Sequence, residues 1–271
     1  MHSFTNALLL TLAASSFPSI LALSADPIAV KIVQQQFINA KIVPDEIPVF
    51  NPIGTLQLDF KASVGVTTVG EAIAVANTTQ QPSVTAAGTF NGTSAKYTVL
   101  MVDTNYPGSS NPNGLYLHWL QNDATLASDG TITNSTAAVI PYAGPAPPSG
   151  SGPHRYTVLL YAQLANFTAP RRPRQIPDLA SYISSAGLGT PLAGSYFTVE
   201  VGTATVSVSP TTAVDTATFS ASSTVTGSGS STVSGTGAGT SATQKSSADL
   251  GKGVTISSVL LSAFGLAVVL A

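Results

Sequence analysis

Hydrophobic and polar positions alternate along "GTLQLDF", where Leu56, Leu58 and Phe60 are interleaved with Gln57 and Asp59. That period of two belongs to a strand with one buried face. "KYTVLMVD" (Lys96 to Asp103), "YTVLLYAQ" (Tyr156 to Gln163) and "SYFTVEV" (Ser195 to Val201) are rich in β-branched and aromatic residues, and clusters of Gly, Pro and Asn bound them. They read as further strands, as do the residues around His118 in "GLYLHWLQND". Asn113 and Asn122 read as turn residues there. Two stretches change to a helical period. From Asp26-Pro27, an N-cap followed by proline, Val30, Val33 and Phe37 recur on one face. "PDLASYISSAG" places Leu179, Tyr182, Ile183 and Ala186 together and stops at Gly187. These elements predict a mostly β, antiparallel fold with a few short peripheral helices.

The ends follow other patterns. Residues 1–24 hold an apolar stretch followed by small residues, which reads as a secretory signal peptide cut near Ser24 or Ala25. Residues 206–247 become almost purely Ser, Thr, Gly, Ala and Val from Thr211 on. Such a segment buries too little apolar surface to offset its chain entropy, so it reads as a disordered, O-glycosylated stalk. Residues 248–271 end in an uncharged run from Val254 to Ala271. Small residues, a polar spacer and a terminal apolar tail form a GPI-anchor signal, with attachment between Gly239 and Ser247. A single C-terminal transmembrane helix is the competing reading. The globular domain is thereby expected over residues 26–205, on a protein exported to the cell surface and held at the plasma membrane or wall. Four sequons, at Asn77, Asn91, Asn134 and Asn166, fit export and predict N-glycans.

Composition narrows the function. Charged residues make up 8% of the 271, and the net charge is −2. A basic footprint for nucleic acid is lacking. There is no cysteine, which removes disulfides, thiolate nucleophiles and Cys-based metal sites. No cofactor is expected. Of three histidines, His2 leaves with the signal peptide. The remaining two, His118 and His154, each adjoin a strand and a loop dense in Pro and Gly, a common way to build a rigid pocket rim.

"VDTNYP…LHWL" and "YAGPAPPSGSGPHRYTVLLYAQ" resemble the two signature regions of the phosphatidylethanolamine-binding protein family. "PDEIPVFNPIGTLQLDF" and "AGLGTPLAGSYFTVE" are similar to the opening and closing segments of fungal-type members. The resemblance spans roughly residues 27–202 and implies an antiparallel β-sandwich with a small anion-accepting pocket. Carried over position by position, that pocket is lined by Asp103, Asn105, Pro107, His118, Pro147, His154 and Tyr156. Two imidazoles and a phenol suit phosphate or carboxylate oxygens. Arg155 should point to the opposite face of its strand and form a structural ion pair, for instance with an aspartate of the first motif. Trp119 should face away from His118 as a core filler. Where the family has Asp-Pro-Asp, this chain has Asp103-Thr104-Asn105. Losing the proline frees φ, and Asn replaces a charge with an NH₂ donor.

The resemblance implies a binding protein for a phospholipid head group, another phosphate or a carboxylate, with a protease or other protein as a further partner. Two competing readings use other features. Two His and one Asp are the ligand types of a 2-His-1-carboxylate metal enzyme, but no His-x-x-x-His or Gly-x-Ser-x-Gly pattern supports catalysis. Alternatively, the stalk and glycans are the working parts of a wall or coat glycoprotein with a vestigial pocket. "RRPR" (Arg171 to Arg174) reads as a solvated basic loop.

Overall fold

The computed structural model describes residues 24–90, 95–111, 113–169, 171 and 174–219. The chain divides into Met1–Ser222 and Ser223–Ala271, and every described residue lies in the first unit. The expected signal peptide up to residue 23, Asn91, Arg172, Pro173, the expected stalk beyond residue 219 and the C-terminal apolar run lie outside the described residues. Among those described, no helix is long and apolar enough to cross a membrane.

The fold is mostly β. Helix α1 (Pro27–Asn39) is capped by Asp26, whose side chain accepts from Ile28 N–H, and its Val33 and Phe37 are buried as the spacing predicts. Helix α2 (Leu179–Ser185) is capped by Asp178 through Ser181 N–H and buries Leu179 and Ile183. The strands are β1 (Gly54–Asp59), β2 (Glu71–Ala72), β3 (Ser83–Gly88), β4 (Tyr97–Asp103), β5 (Leu115–Leu126), β6 (Ile132–Asn134), β7 (His154–Gln163), β8 (Gln175–Ile176) and β9 (Leu188–Val199). A seven-stranded sheet runs in the order β2-β9-β7-β4-β5-β6, with β8 also on β5, and β1 pairs separately with β3. All these pairings are antiparallel except β2 with β9.

Strands β4 and β7 are buried along almost their whole length, because both sheet faces are covered. That explains why their sequences run apolar instead of alternating. On one face, Leu56, Leu58, Val84 and Ala86 of the small sheet pack against Val99, Met101, Trp119 and Val158. On the other, α1, α2 and residues 42–50 cover Leu100, Val102, Leu117 and Leu159. Strand β9 begins at Leu188, seven residues before the predicted run, because Leu188 to Ala193 continue pairing with β7 through two register shifts. Asn122 is within β5, not a turn, and its side chain accepts from Thr98 Oγ1 in a buried contact. Beyond β9 the chain stays attached to the sheet's end: Thr205 N–H donates to Gly150 O, Ser209 N–H to Pro107 O, and Asn39 Nδ2 to Thr212 O.

Candidate functional site

Three adjacent strands bring the site together at one end of the sheet. Asp103 ends β4 and pairs with Tyr156 on β7 and Tyr116 on β5. Residues pointing to the Met101 face on β4 and β7 are therefore Asp103, His154 and Tyr156. On β5 the pairing jumps from Met101↔Trp119 to Val102↔Leu117. His118 is the extra residue of this bulge, so the usual alternation fails there. The consequence corrects the expectation for Trp119. It is a core residue, but it lies in the same cluster as Tyr156, while the His118 ring also meets Tyr156. Both therefore lie on one sheet face.

The rings converge on Tyr156. His118 meets it edge-on with centroids 5.1 Å apart, and His154 lies 6.5 Å away, nearly parallel. Phe197 backs the phenol at 5.6 Å. His154 Nδ1 donates to Asp103 Oδ2 at 2.8 Å. Its Nε2 lies 2.9 Å from Ser151 Oγ, whose own proton goes to Pro148 O at 2.6 Å. His154 is thereby held at both ring nitrogens, by Asp103 on one side and Ser151 on the other. His118 Nδ1 donates to Ala143 O at 2.8 Å, which fixes its tautomer and leaves Nε2 without a proton while the ring is neutral. Burial holds the His118 pKa below its usual value, against the upward pull of the Ala143 carbonyl and Asp103. Burial, with Asp103 nearby, pushes the Tyr156 phenol far up, so it stays protonated. Its hydroxyl is buried and makes no well-formed hydrogen bond among the described residues, while Asp103 and the Ala146 backbone lie close enough to bear on its ionisation.

Asp103, His118, His154 and Tyr156 thus meet. Pro147 is buried in the 141–153 connection, the loop that also supplies Ala143 O and Ser151. Asn105 and Pro107 turn elsewhere. Asn105 N–H donates to Asp103 Oδ1 at 2.7 Å, while its side chain accepts from Tyr106 N–H and donates to Asn111. Its φ of 56° is left-handed, a conformation asparagine tolerates. The Asp103 turn closes through this side-chain bond, without the family's proline. Pro107 borders a cavity of about 210 Å³ shared with Arg155 and Tyr196.

Arg155 does point to the opposite face, but the expected ion pair is replaced. Its guanidinium donates to the backbone carbonyls of Ala40, Thr104, Asn105 and Tyr106. The loop curls around the cation, so its carbonyls meet the donors before a carboxylate can. The nearby Glu46 is bonded to Asn111; burial raises its pKa and the Arg155 charge opposes that rise. As for a metal site, Asp103 Oδ2 is engaged by His154, and no three His, Cys, Asp or Glu side chains among the described residues are grouped to hold an ion.

Sequence reasoning missed Tyr116, Ser151 and Ala143. Tyr116 is 41% exposed beside His118, with ring centroids 4.9 Å apart. Its signal was available, two positions before the histidine. Ser151 sat in a loop of interchangeable small residues, and Ala143 acts through its carbonyl. Of the sequons, Asn134 ends β6 and Asn166 lies in the turn after β7, both exposed, while Asn77 is half-buried in a short 3₁₀ helix.

The phosphatidylethanolamine-binding protein model matches residues 47–197. The chain belongs to this family. CEN-like protein 1 of Nicotiana tabacum is 29% identical over 174 residues, covering 64% of this chain and 95% of that protein. The carboxypeptidase Y inhibitor of Saccharomyces cerevisiae is 31% identical over 113 residues, covering 36% of this chain and 49% of the inhibitor. A solved structure of carboxypeptidase Y inhibitor complexed with its cognate proteinase superposes with a TM-score of 0.55 at 21% identity, covering 64% of this chain and 98% of that one. That likeness confirms the fold.

Proposed function

We propose that this protein is a secreted, cell-surface-anchored, non-catalytic binding member of the phosphatidylethanolamine-binding family. It takes a small anionic group, phosphate or carboxylate, at His118, His154 and Tyr156. The Tyr156 hydroxyl carries the reading: it is buried and protonated between two imidazoles, beside Asp103, with no well-formed hydrogen bond among the described residues. A buried donor left unmade costs about 1–3 kcal/mol, and a ligand oxygen accepting from it offsets that cost. The roles then divide. Tyr156 donates through its hydroxyl. His118 donates from Nε2 once protonated. His154 is engaged at Nδ1 by Asp103 and near Nε2 by Ser151, so it borders the anion and places Asp103. The signal-like start, the four sequons and the apolar C-terminal run support export and GPI anchoring. The similarity to the carboxypeptidase Y inhibitor supports a protease as a protein partner.

Calorimetric titration of the full chain with inorganic phosphate, phosphoethanolamine and acetate tests the site. Saturable heat with either phosphate compound, lost in His118→Ala, is expected. No heat with any of the three at millimolar concentration would favour a surface glycoprotein whose pocket is vestigial.

A further inference from the structure

A second concave surface lies across the sheet from the histidines. Helix α2, residues 47–49 and the start of β9 enclose a groove of about 510 Å³. Its walls include Ile47, Val49, Tyr161, Leu164, Leu179 and Ile183, and no charged residue among those described lines it. Val49 and Leu164 are 52% and 48% exposed. An apolar opening of this kind usually marks a surface that something covers.

The groove carries an attachment point for its own cover. Asn166, first residue of the Asn166-Phe167-Thr168 sequon, is one of its lining residues. Asn166 is exposed, and its side-chain amide has no hydrogen-bond partner among the described residues. The turn holding it is fixed. Leu164 N–H donates to Gly187 O, Phe167 N–H to Leu164 O and Thr168 N–H to Ala186 O, and Phe167 packs against the core. Gly187 has φ 67°, and a Cβ there would lie 2.7 Å from Asn166 O, so the turn sits directly on the junction between α2 and β9. Neither Asn77 nor Asn134 lines this groove.

We propose that an N-glycan on Asn166 folds back into this groove and that its proximal sugars are the groove's cover. The apolar CH faces of the pyranose rings pack against the uncharged wall, and Ser184 and Thr190 at the groove offer hydroxyls to the sugar's polar edges. The inference rests on the exported state proposed above, since sequons are modified only on chains that enter that route.

The test uses the full chain secreted from a eukaryotic host. Glycan occupancy is read by mass spectrometry, exposed apolar surface by the fluorescence of anilinonaphthalenesulfonate, and stability by Tm. Asn166 is expected to be occupied. Thr168→Ala and Asn166→Gln should each raise dye fluorescence severalfold and lower Tm by about 3 °C, while Asn77→Gln and Asn134→Gln change neither. Enzymatic release of glycans from folded wild-type protein should reproduce the dye signal without a mutation. Occupied Asn166 whose removal leaves dye binding and Tm unchanged overturns the proposal. So does a bare Asn166 on a protein glycosylated at Asn77 or Asn134, with the export reading intact. A secreted-host product with no glycan at any sequon overturns both.

Discussion

His154 Nδ1 lies 2.8 Å from Asp103 Oδ2, and the two side chains come from neighbouring strands on one sheet face. Both are largely shielded, at 8% and 15% side-chain exposure. Asp103 also accepts from Asn105 N–H, so the carboxylate ties the loop after β4 to the site. Asp103→Asn keeps an acceptor for Asn105 but loses the carboxylate charge that His154 Nδ1 meets. A hydrogen bond to a charged group contributes about 1.5–3 kcal/mol, and urea unfolding of the variant should show a loss of that size with an unchanged m-value. Unchanged stability would mean that the pair holds nothing in place.

His118 gives the site an acid dependence with a definite sign. Its folded-state pKa is held below the ordinary 6.5, mainly by burial, with Arg174 and His154 adding to the depression and Ala143 O and Asp103 opposing it. The unfolded chain then binds the proton more readily. The stability contribution is fully present above pH 6.5 and is lost as pH falls through the lower folded value. Anion binding runs the other way, because His118 Nε2 donates only when protonated. Phosphate affinity should therefore rise as pH is lowered below 6.5, and the rise should vanish in His118→Gln. Affinity that stays flat from pH 7.5 to 5 in wild type would remove His118 from the ligand's contacts.

Arg155 tests how the loop after β4 is held. Four backbone carbonyls share one guanidinium fork. Lysine has three donors on a flexible stem and cannot reproduce that fork. Arg155→Lys should cost at least about 3 kcal/mol, the equivalent of one or two lost charge-assisted bonds, measured by urea unfolding. A loss under about 1 kcal/mol, the level of a single neutral bond, would show that water replaces the guanidinium freely.

These residues also mark how far the sequence could be read. "GPHRY" and "LHW" located His118, His154 and Tyr156, because their chemistry and their resemblance to the family lie in the side chains. The β-rich class and both helices were legible from period and caps. The bulge at His118 was not, since it is a property of how β5 pairs with β4 and leaves no mark in β5 alone. The Arg155 partners escaped for a related reason: carbonyls carry no residue signature. Asn105 was read as a pocket donor, but its backbone geometry spends that donor on Asn111.

Tyr156→Phe separates binding from folding. The variant removes a buried hydroxyl that makes no well-formed hydrogen bond among the described residues while keeping the ring that packs on Phe197. Stability should stay level or rise by up to about 1 kcal/mol. Phosphate affinity should drop about tenfold, the equivalent of one hydrogen bond of some 1.4 kcal/mol. A variant that loses stability but binds as before would make Tyr156 a structural residue.

The central claim is that both imidazoles and the phenol serve one anion. NMR titration of the full chain with inorganic phosphate at pH 6, following the ring signals of His118 and His154, measures that directly. Both rings should shift along one saturation curve, and Tyr156→Phe should weaken that curve for both together. If neither imidazole responds at millimolar phosphate, or only one does, the three groups do not form a common site.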